Sequence, residues 1–292
     1  MSQLPLPDRL NEIWSRVEVG QLTCDAAQQQ QDQLLGQYRE VWTQALATPD
    51  KPNLKQALMS ELATYVGSGD VLTLEARCRS VAKELKRDWE RTVIDPRDHA
   101  AIERFYDRSH GYLLDLMWWH TLEDDASPLA YVLALDFARR SPGRSYLDFG
   151  AGVGSGAILF AHHGYAVTLA DISTTLLDFS RWRLARRHLT AATINLTTHG
   201  LPGEAFDFIT AMDVFEHLAD PVEAVDRLVA ALRPGGYLFG RFAADPDSER
   251  PQHIVFDFEP TFRRLALHGL TEVWKDGWLW GHQVFQKPGQ ST

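Results

Sequence analysis

The sequence predicts an α/β fold: a doubly wound sheet preceded by an N-terminal all-α helical domain. Three observations carry that expectation. Amphipathic helical stretches fill the first 140 residues. From Tyr146 onward, short apolar runs of β-prone residues alternate with helical patterns, which is the signature of parallel strands joined by crossover helices. The first such strand, Tyr146-Leu147-Asp148-Phe149, runs into glycines at every second position, Gly150, Gly152 and Gly154, before a helix begins. That strand–turn–helix order opens nucleotide-binding α/β sheets.

The helical stretches come first in the chain. In Gln29–Leu46, Leu34, Leu35, Tyr38, Val41, Trp42 and Ala45 share one side. In Asn53–Val66, Leu54, Leu58, Leu62 and Tyr65 do the same, with Asn53 as N-cap. In Val71–Arg91, Leu74, Cys78, Val81, Leu85 and Trp89 step by four, three, four and four, a coiled-coil-like stripe that can also pair two copies of the chain. The Gln28–Gln31 run reads as helix surface. Breaks are expected at Thr48–Pro52, Gly67–Asp70 and Ile94–Pro96, and the last sets the boundary of an N-terminal helical domain spanning residues 1–95. Residues 96–143 then form a helical cap or linker rich in aromatics, from Phe105-Tyr106 through Tyr112 to Trp118-Trp119-His120. Trp118 and Trp119 serve either to pack this cap or to build a substrate pocket.

The third region spans residues 144–292. Glycine lets the chain turn sharply and lets a ligand approach its backbone. A helix follows from about Gly154, with Ile158, Leu159 and Phe160 on its apolar side. A second strand, Tyr165–Ala170, ends in Asp171, placed to accept hydrogen bonds from two ribose hydroxyls. The alternative is capping, by Asp171 or Ser173, of the helix around Leu176–Arg187. The basic run Arg181–His188 in that helix reads as a solvated face. Phe206–Asp213 is a buried-type strand, and Val222–Leu232 is a helix stopped by Arg233-Pro234-Gly235-Gly236 ahead of a short strand at Tyr237–Gly240. His253–Phe256 leads into a helix at Glu259–His268, which Gly269 closes. Thr271–Lys275 and His282–Gln286 are the two strands of a final hairpin around Asp276-Gly277.

The glycine spacing is G-x-G-x-G, not the G-x-G-x-x-G of dinucleotide sites; Ser155 and Ala157 stand where a third glycine would fall. With Asp148 just ahead of it, the turn resembles motif I of the class I S-adenosylmethionine-dependent methyltransferases, of the small-molecule type. The run Phe206–Pro221 with Leu232–Phe239 resembles the motif IV and V region of that family. The resemblance implies a seven-stranded Rossmann-like sheet, S-adenosyl-L-methionine as cofactor, and methyl transfer to a small molecule by in-line displacement. Carried over to this chain, the cofactor positions are Asp148, Gly150, Ala151, Gly152, Gly154, Asp171, Ile172, Met212 and Asp213. Tyr106 and Tyr112 join them, since "FYDR…Y" precedes motif I in many small-molecule relatives. An acid that relatives carry before "L-P" is missing from Thr197–Pro202, so Thr198 or backbone groups would contact the adenine.

Catalysis of this kind asks the protein mainly to align two reactants and exclude water. A base is needed only if the acceptor must lose a proton. His217 is the first candidate, because histidine titrates near neutrality; Glu216 can orient it or bind a metal. His110, His120 and His253 are weaker candidates. No metal centre is assigned, for Cys24 and Cys78 lack metal spacing, and Cys78 reads as a buried, inert thiol.

The formal charge of −10 argues against nucleic acid as a partner. No apolar run approaches the roughly 20 residues of a membrane span, and Met1–Pro5 lacks a signal-peptide start. A cytoplasmic enzyme with a small-molecule substrate, forming a homodimer if the striped helices pair, is the expectation. Two readings stay beside it: a non-catalytic S-adenosylmethionine-binding scaffold and a nicotinamide-dependent oxidoreductase.

Overall fold

The computed structural model describes residues 4–48, 50–93, 95–243 and 247–289. The readings at Met1–Gln3, Pro49 and Ile94 lie outside those residues. The chain opens with α1 (Leu6–Glu18), α2 (Cys24–Leu46), α3 (Leu54–Val66) and α4 (Val71–Thr92). It continues with α5 (His99–Arg108), α6 (Gly111–Trp119) and α7 (Ala130–Ala138). The caps are those that the sequence favours: Thr23, Asn53, Asp70 and Asp98 each accept a bond from a first-turn N–H. The α4 stripe, Leu74, Cys78, Val81, Leu85 and Trp89, is buried inside the chain, where α4 packs on α6. Pairing between subunits therefore cannot use it. Burial pushes the Cys78 thiol up to about 11, which keeps it protonated and unreactive.

Strands and helices then alternate: β1 (Ser145–Phe149), α8 (Ser155–His162), β2 (Ala166–Asp171), α9 (Thr174–Arg186), β3 (Ala191–Asn195), β4 (Phe206–Ala211), α10 (Pro221–Ala231), β5 (Leu232–Arg241), α11 (Glu259–Leu267), β6 (Thr271–Lys275) and β7 (His282–Gln286). The sheet has seven strands in the order β3-β2-β1-β4-β5-β7-β6. The first five run parallel, and β7 enters antiparallel between β5 and β6. The order reverses between β1 and β4, and in open α/β sheets ligands bind beyond the carboxyl ends of the strands at such a point. The turn read at Arg233–Gly236 lies inside β5, with a register shift in its pairing to β4 between Phe206 and Phe208.

The basic run in α9 is not all solvated. Arg181, Arg186 and His188 are exposed, but Arg183 is fully buried and Arg187 nearly so. Both reach Glu61 of α3, Arg183 at 3.0 Å. Arg183 also donates to the Val153 carbonyl at 2.7 Å and to Ser155 Oγ at 2.8 Å. A helical wheel places Arg183 correctly but cannot show that another helix lies over it.

Candidate functional site

A cavity of about 380 Å³ opens beyond the carboxyl ends of β1, β2 and β4. Its floor is the glycine turn. Gly150 donates to the Ala170 carbonyl at 2.8 Å, tying the turn to β2. Gly152 has φ +52°, a region that side chains with a Cβ avoid, and an added Cβ would stand 2.8 Å from Leu116 of α6. Asp171, at the end of β2, is buried. Its two carboxylate oxygens accept from the Gly152 amide at 2.9 Å and the Ser173 amide at 2.8 Å. Burial pushes its pKa up. The α9 cap is Ser173, whose Oγ accepts from Leu176 at 3.3 Å. Asp171 thus braces the turn and still lines the cavity.

The opposite wall comes from the helical cap and from the loops after β4 and β5. Tyr106 and Tyr112 lie with ring centroids 4.9 Å apart. The Tyr106 hydroxyl is 3.0 Å from His217 Nδ1, and the Gln252 carbonyl lies at 3.0 Å from the same nitrogen. A carbonyl can only accept, which assigns the proton to Nδ1 and leaves Nε2 with its lone pair. Asp213, two residues past β4, has φ +48°, a backbone conformation that aspartate tolerates better than most residues. It pairs with Arg241 of β5 at 2.9 Å.

Glu216 is 1% exposed. Burial first, and then the Asp213 charge, pushes its carboxyl up to about 8. The same burial, aided by neighbouring His253, pushes His217 down to about 4. His217 is therefore neutral at pH 7 but a weak base, and Glu216 is the group that titrates near neutrality. Residues 250–255 are folded back onto this cluster, Ile254 and Val255 both donating to the Glu216 carbonyl at 2.8 and 3.1 Å. That brings His253 in: ligand atoms of Glu216, His217 and His253 lie within 4.8 Å of one another, close enough to share a metal ion.

Most of the residues singled out in the sequence meet here. Tyr106, Tyr112, Gly150, Ala151, Gly152, Asp171, Ile172, Met212, Asp213, Glu216 and His217 all line the cavity, as do His120 and His253. Four do not. Asp148 is fully buried below the turn, accepting from Thr210 Oγ1 at 3.1 Å and facing Gly156 of α8. Gly154 caps α8 against Ser180, beneath the turn. Thr198 is exposed and bonds the ring of His199 at 2.7 Å; Leu196 lines the wall instead. His110, at the N-terminus of α6, is exposed and outside the lining. The sequence reading missed Asp115, Arg250 and Gln252, which also line the cavity. Asp115 follows Tyr112 in a helix whose apolar pattern draws the eye to its neighbours; the other two lie in a stretch with no periodicity to read.

A family model described as a methyltransferase domain matches residues 118–280, more than half of the chain and the whole glycine-turn region. The chain belongs to the class I S-adenosylmethionine-dependent methyltransferases. Among curated relatives, a ubiquinone biosynthesis O-methyltransferase of Albidiferax ferrireducens is 31% identical over 156 residues, 49% of this chain and 57% of that protein. One from Coxiella burnetii is 33% identical over 101 residues, 33% of this chain and 42% of that protein. The chain spans roughly half the length of the curated relatives it matches. Among solved structures, the N-methyltransferase NodS of Bradyrhizobium japonicum, in complex with S-adenosylhomocysteine, gives a TM-score of 0.51 at 22% identity, covering 66% of this chain and 100% of that one. A methyltransferase of Leishmania major gives 0.51 at 18%, covering 68% and 88%. Both likenesses are of fold. The family's methyl donor is S-adenosylmethionine, and the bare backbone at Gly152 beside the buried acid Asp171 fits an adenosyl amino acid.

Proposed function

We propose that this methyltransferase moves a methyl group from S-adenosylmethionine to a small-molecule acceptor in the cavity beyond β1 and β4. The observation that carries the proposal is the junction in one cavity of two unlike halves. One half offers bare glycine backbone, Asp171 and the apolar Ile172, Leu196 and Met212, suited to a ribose and an adenine. The other offers Tyr106, Asp213, Glu216, His217 and His253, suited to a polar acceptor. The donor, when bound, supplies a methyl activated by a sulfonium charge. The protein's own work is to hold the acceptor in line and to exclude water, which can contribute on the order of 7–11 kcal/mol. Where the acceptor must lose a proton, Glu216 in its ionised form takes it, and Tyr106 and Gln252 hold the His217 ring beside it.

In this reading residues 96–143 and the loops after β4 and β5 wall the acceptor half, residues 1–95 support that cap from behind, and the glycine turn with the end of β2 holds the donor. Trp42 of α2 supports that role by donating to the His120 carbonyl at 3.1 Å. A homodimer through the N-terminal helices would need surfaces other than the α4 stripe, such as exposed Val71 and Leu72. The unpaired thiols of Cys24 and Cys78 fit the reducing conditions of a cytoplasmic location. Calorimetry with S-adenosylhomocysteine and with NAD tests the donor half, and radiolabelled methyl transfer to an acceptor panel tests the reaction. Binding of NAD alone would overturn the assignment of the donor; tight S-adenosylhomocysteine binding without transfer to any acceptor would leave a scaffold.

A further inference from the structure

We propose that the acceptor half of the cavity binds an organic ammonium, so that the methyl acceptor is a small molecule carrying a protonated amine with Glu216 as its counter-charge. The inference rests on the methyltransferase reading above and narrows its substrate class. It begins with a charge count. Asp115, Asp124, Asp125, Asp213 and Glu216 line this half, against the guanidinium groups of Arg241 and Arg250. Asp213 and Arg241 answer each other at 2.9 Å. Asp124 and Asp125 accept from the indole N–H groups of Trp118 and Trp119 at 2.7 and 3.1 Å, which fixes those rings. Arg250 sits at the exposed rim. Asp124 and Asp125 are exposed there too; inside the rim, Asp115, Asp213 and Glu216 stand against Arg241 alone among the cavity's lining residues.

Two of those carboxylates lack any hydrogen bond or ion pair to their side chains among the described residues. Asp115 is half-buried on α6. Glu216 is 1% exposed, and its Oε2 is shut away from solvent with no partner. Buried acids are normally paired, since a lone charge out of water is costly. A ligand that brings a positive charge offsets the cost of ionising such an acid; a phenol or alcohol offsets little of it, and a carboxylate adds to it. The walls point the same way. Tyr106, Tyr112 and Trp119 present aromatic surface, which attracts a cation through the ring quadrupole. An ammonium has three donors and no acceptor, matching the two carboxylates left without partners.

The test uses the full chain saturated with S-adenosylhomocysteine and three ligands of one shape: phenethylamine, phenylethanol and phenylacetate. Phenethylamine is expected to bind at least tenfold more tightly than phenylethanol, with phenylacetate weakest. In Glu216→Gln the amine preference should fall below threefold, and Asp115→Asn should reduce it severalfold. Equal affinity for amine and alcohol, no binding of the amine, a preference for the acid, or an unchanged preference in Glu216→Gln overturns the proposal. So does magnesium binding that needs Glu216 and is not displaced by the amine. Failure of the wild-type chain to bind S-adenosylhomocysteine removes the methyltransferase reading itself; binding without amine preference removes only the ammonium. The wild-type comparison needs no variant to fold.

Discussion

Gly152 is the residue on which the donor half turns. Its positive φ strains any residue with a Cβ, and the added carbon would press on the end of the Leu116 side chain at 2.8 Å. Gly152→Val is expected to abolish S-adenosylhomocysteine binding and to lower thermal stability together, because strain and overpacking add. Calorimetry and a melting curve check it; retained affinity would show that the turn tolerates displacement and is not the donor's seat. Asp148 makes a different prediction. Burial pushes its carboxyl from an ordinary value near 3.8 up to about 7. A carboxyl raised in the folded state is harder to ionise there than in the unfolded chain. Stability contributed while it stays protonated is therefore lost as pH rises from about 4 through 7, by at most about 4 kcal/mol. Asp148→Asn removes that titration, so the variant's melting temperature should fall less than the wild type's between pH 5 and pH 8. Parallel curves would mean that Asp148 is ionised in the folded protein. Both residues were singled out in the sequence, but only Gly152 lines the cavity. The motif spacing gave Gly152 its place, whereas the direction of the Asp148 side chain follows from strand pleating below the turn.

Among the elements, periodicity carried far. The strands Thr271–Lys275 and His282–Gln286 and the helix Val71–Thr92 lie where their patterns placed them, the helix to within one residue. The stretch from Arg250 to Val255 was illegible by comparison: Arg250, Gln252 and His253 reach the cavity from a loop held by backbone bonds to Glu216, and no side-chain pattern encodes such bonds. The contact of α10 with α11 yields a prediction at this scale. Arg264 and His268 of the α11 end both bond Asp226 of α10, each at 2.6 Å, and hold its carboxyl down at about 2. A lowered carboxyl stabilises the fold above its ordinary value near 4 and loses that contribution as pH falls toward 2. Asp226→Asn should cost about 0.5–1 kcal/mol at neutral pH, the scale of a partly exposed pair, and nothing near pH 2. A denaturation series at both pH values decides it; an equal loss at each would assign the effect to packing instead.

At the scale of the whole molecule, the helical region and the sheet share one core. A single apolar cluster runs from Leu6 of α1 through Trp42 and Leu85 to Phe160 and Val284. Polar contacts cross the same border: Trp274 of β6 donates to Asp8 at 2.9 Å, and Tyr38 donates to Asp136 at 2.6 Å. Deepest among them is the Glu61 carboxylate between Arg183 and Arg187, with Arg183 in turn holding the Val153 carbonyl at the edge of the glycine turn. The helices preceding β1 therefore brace the glycine turn as well as walling the cavity. Two results should follow. The chain should unfold in one transition, with calorimetric and van't Hoff enthalpies equal, since neither part keeps a closed core without the other. Glu61→Gln should lower stability by about 3–5 kcal/mol, because it strands two guanidinium groups out of water, and should shift that one transition rather than split it. Two resolved transitions, with the variant moving only the first, would mean that the helical region folds alone and that the buried ion pair joins two independent bodies.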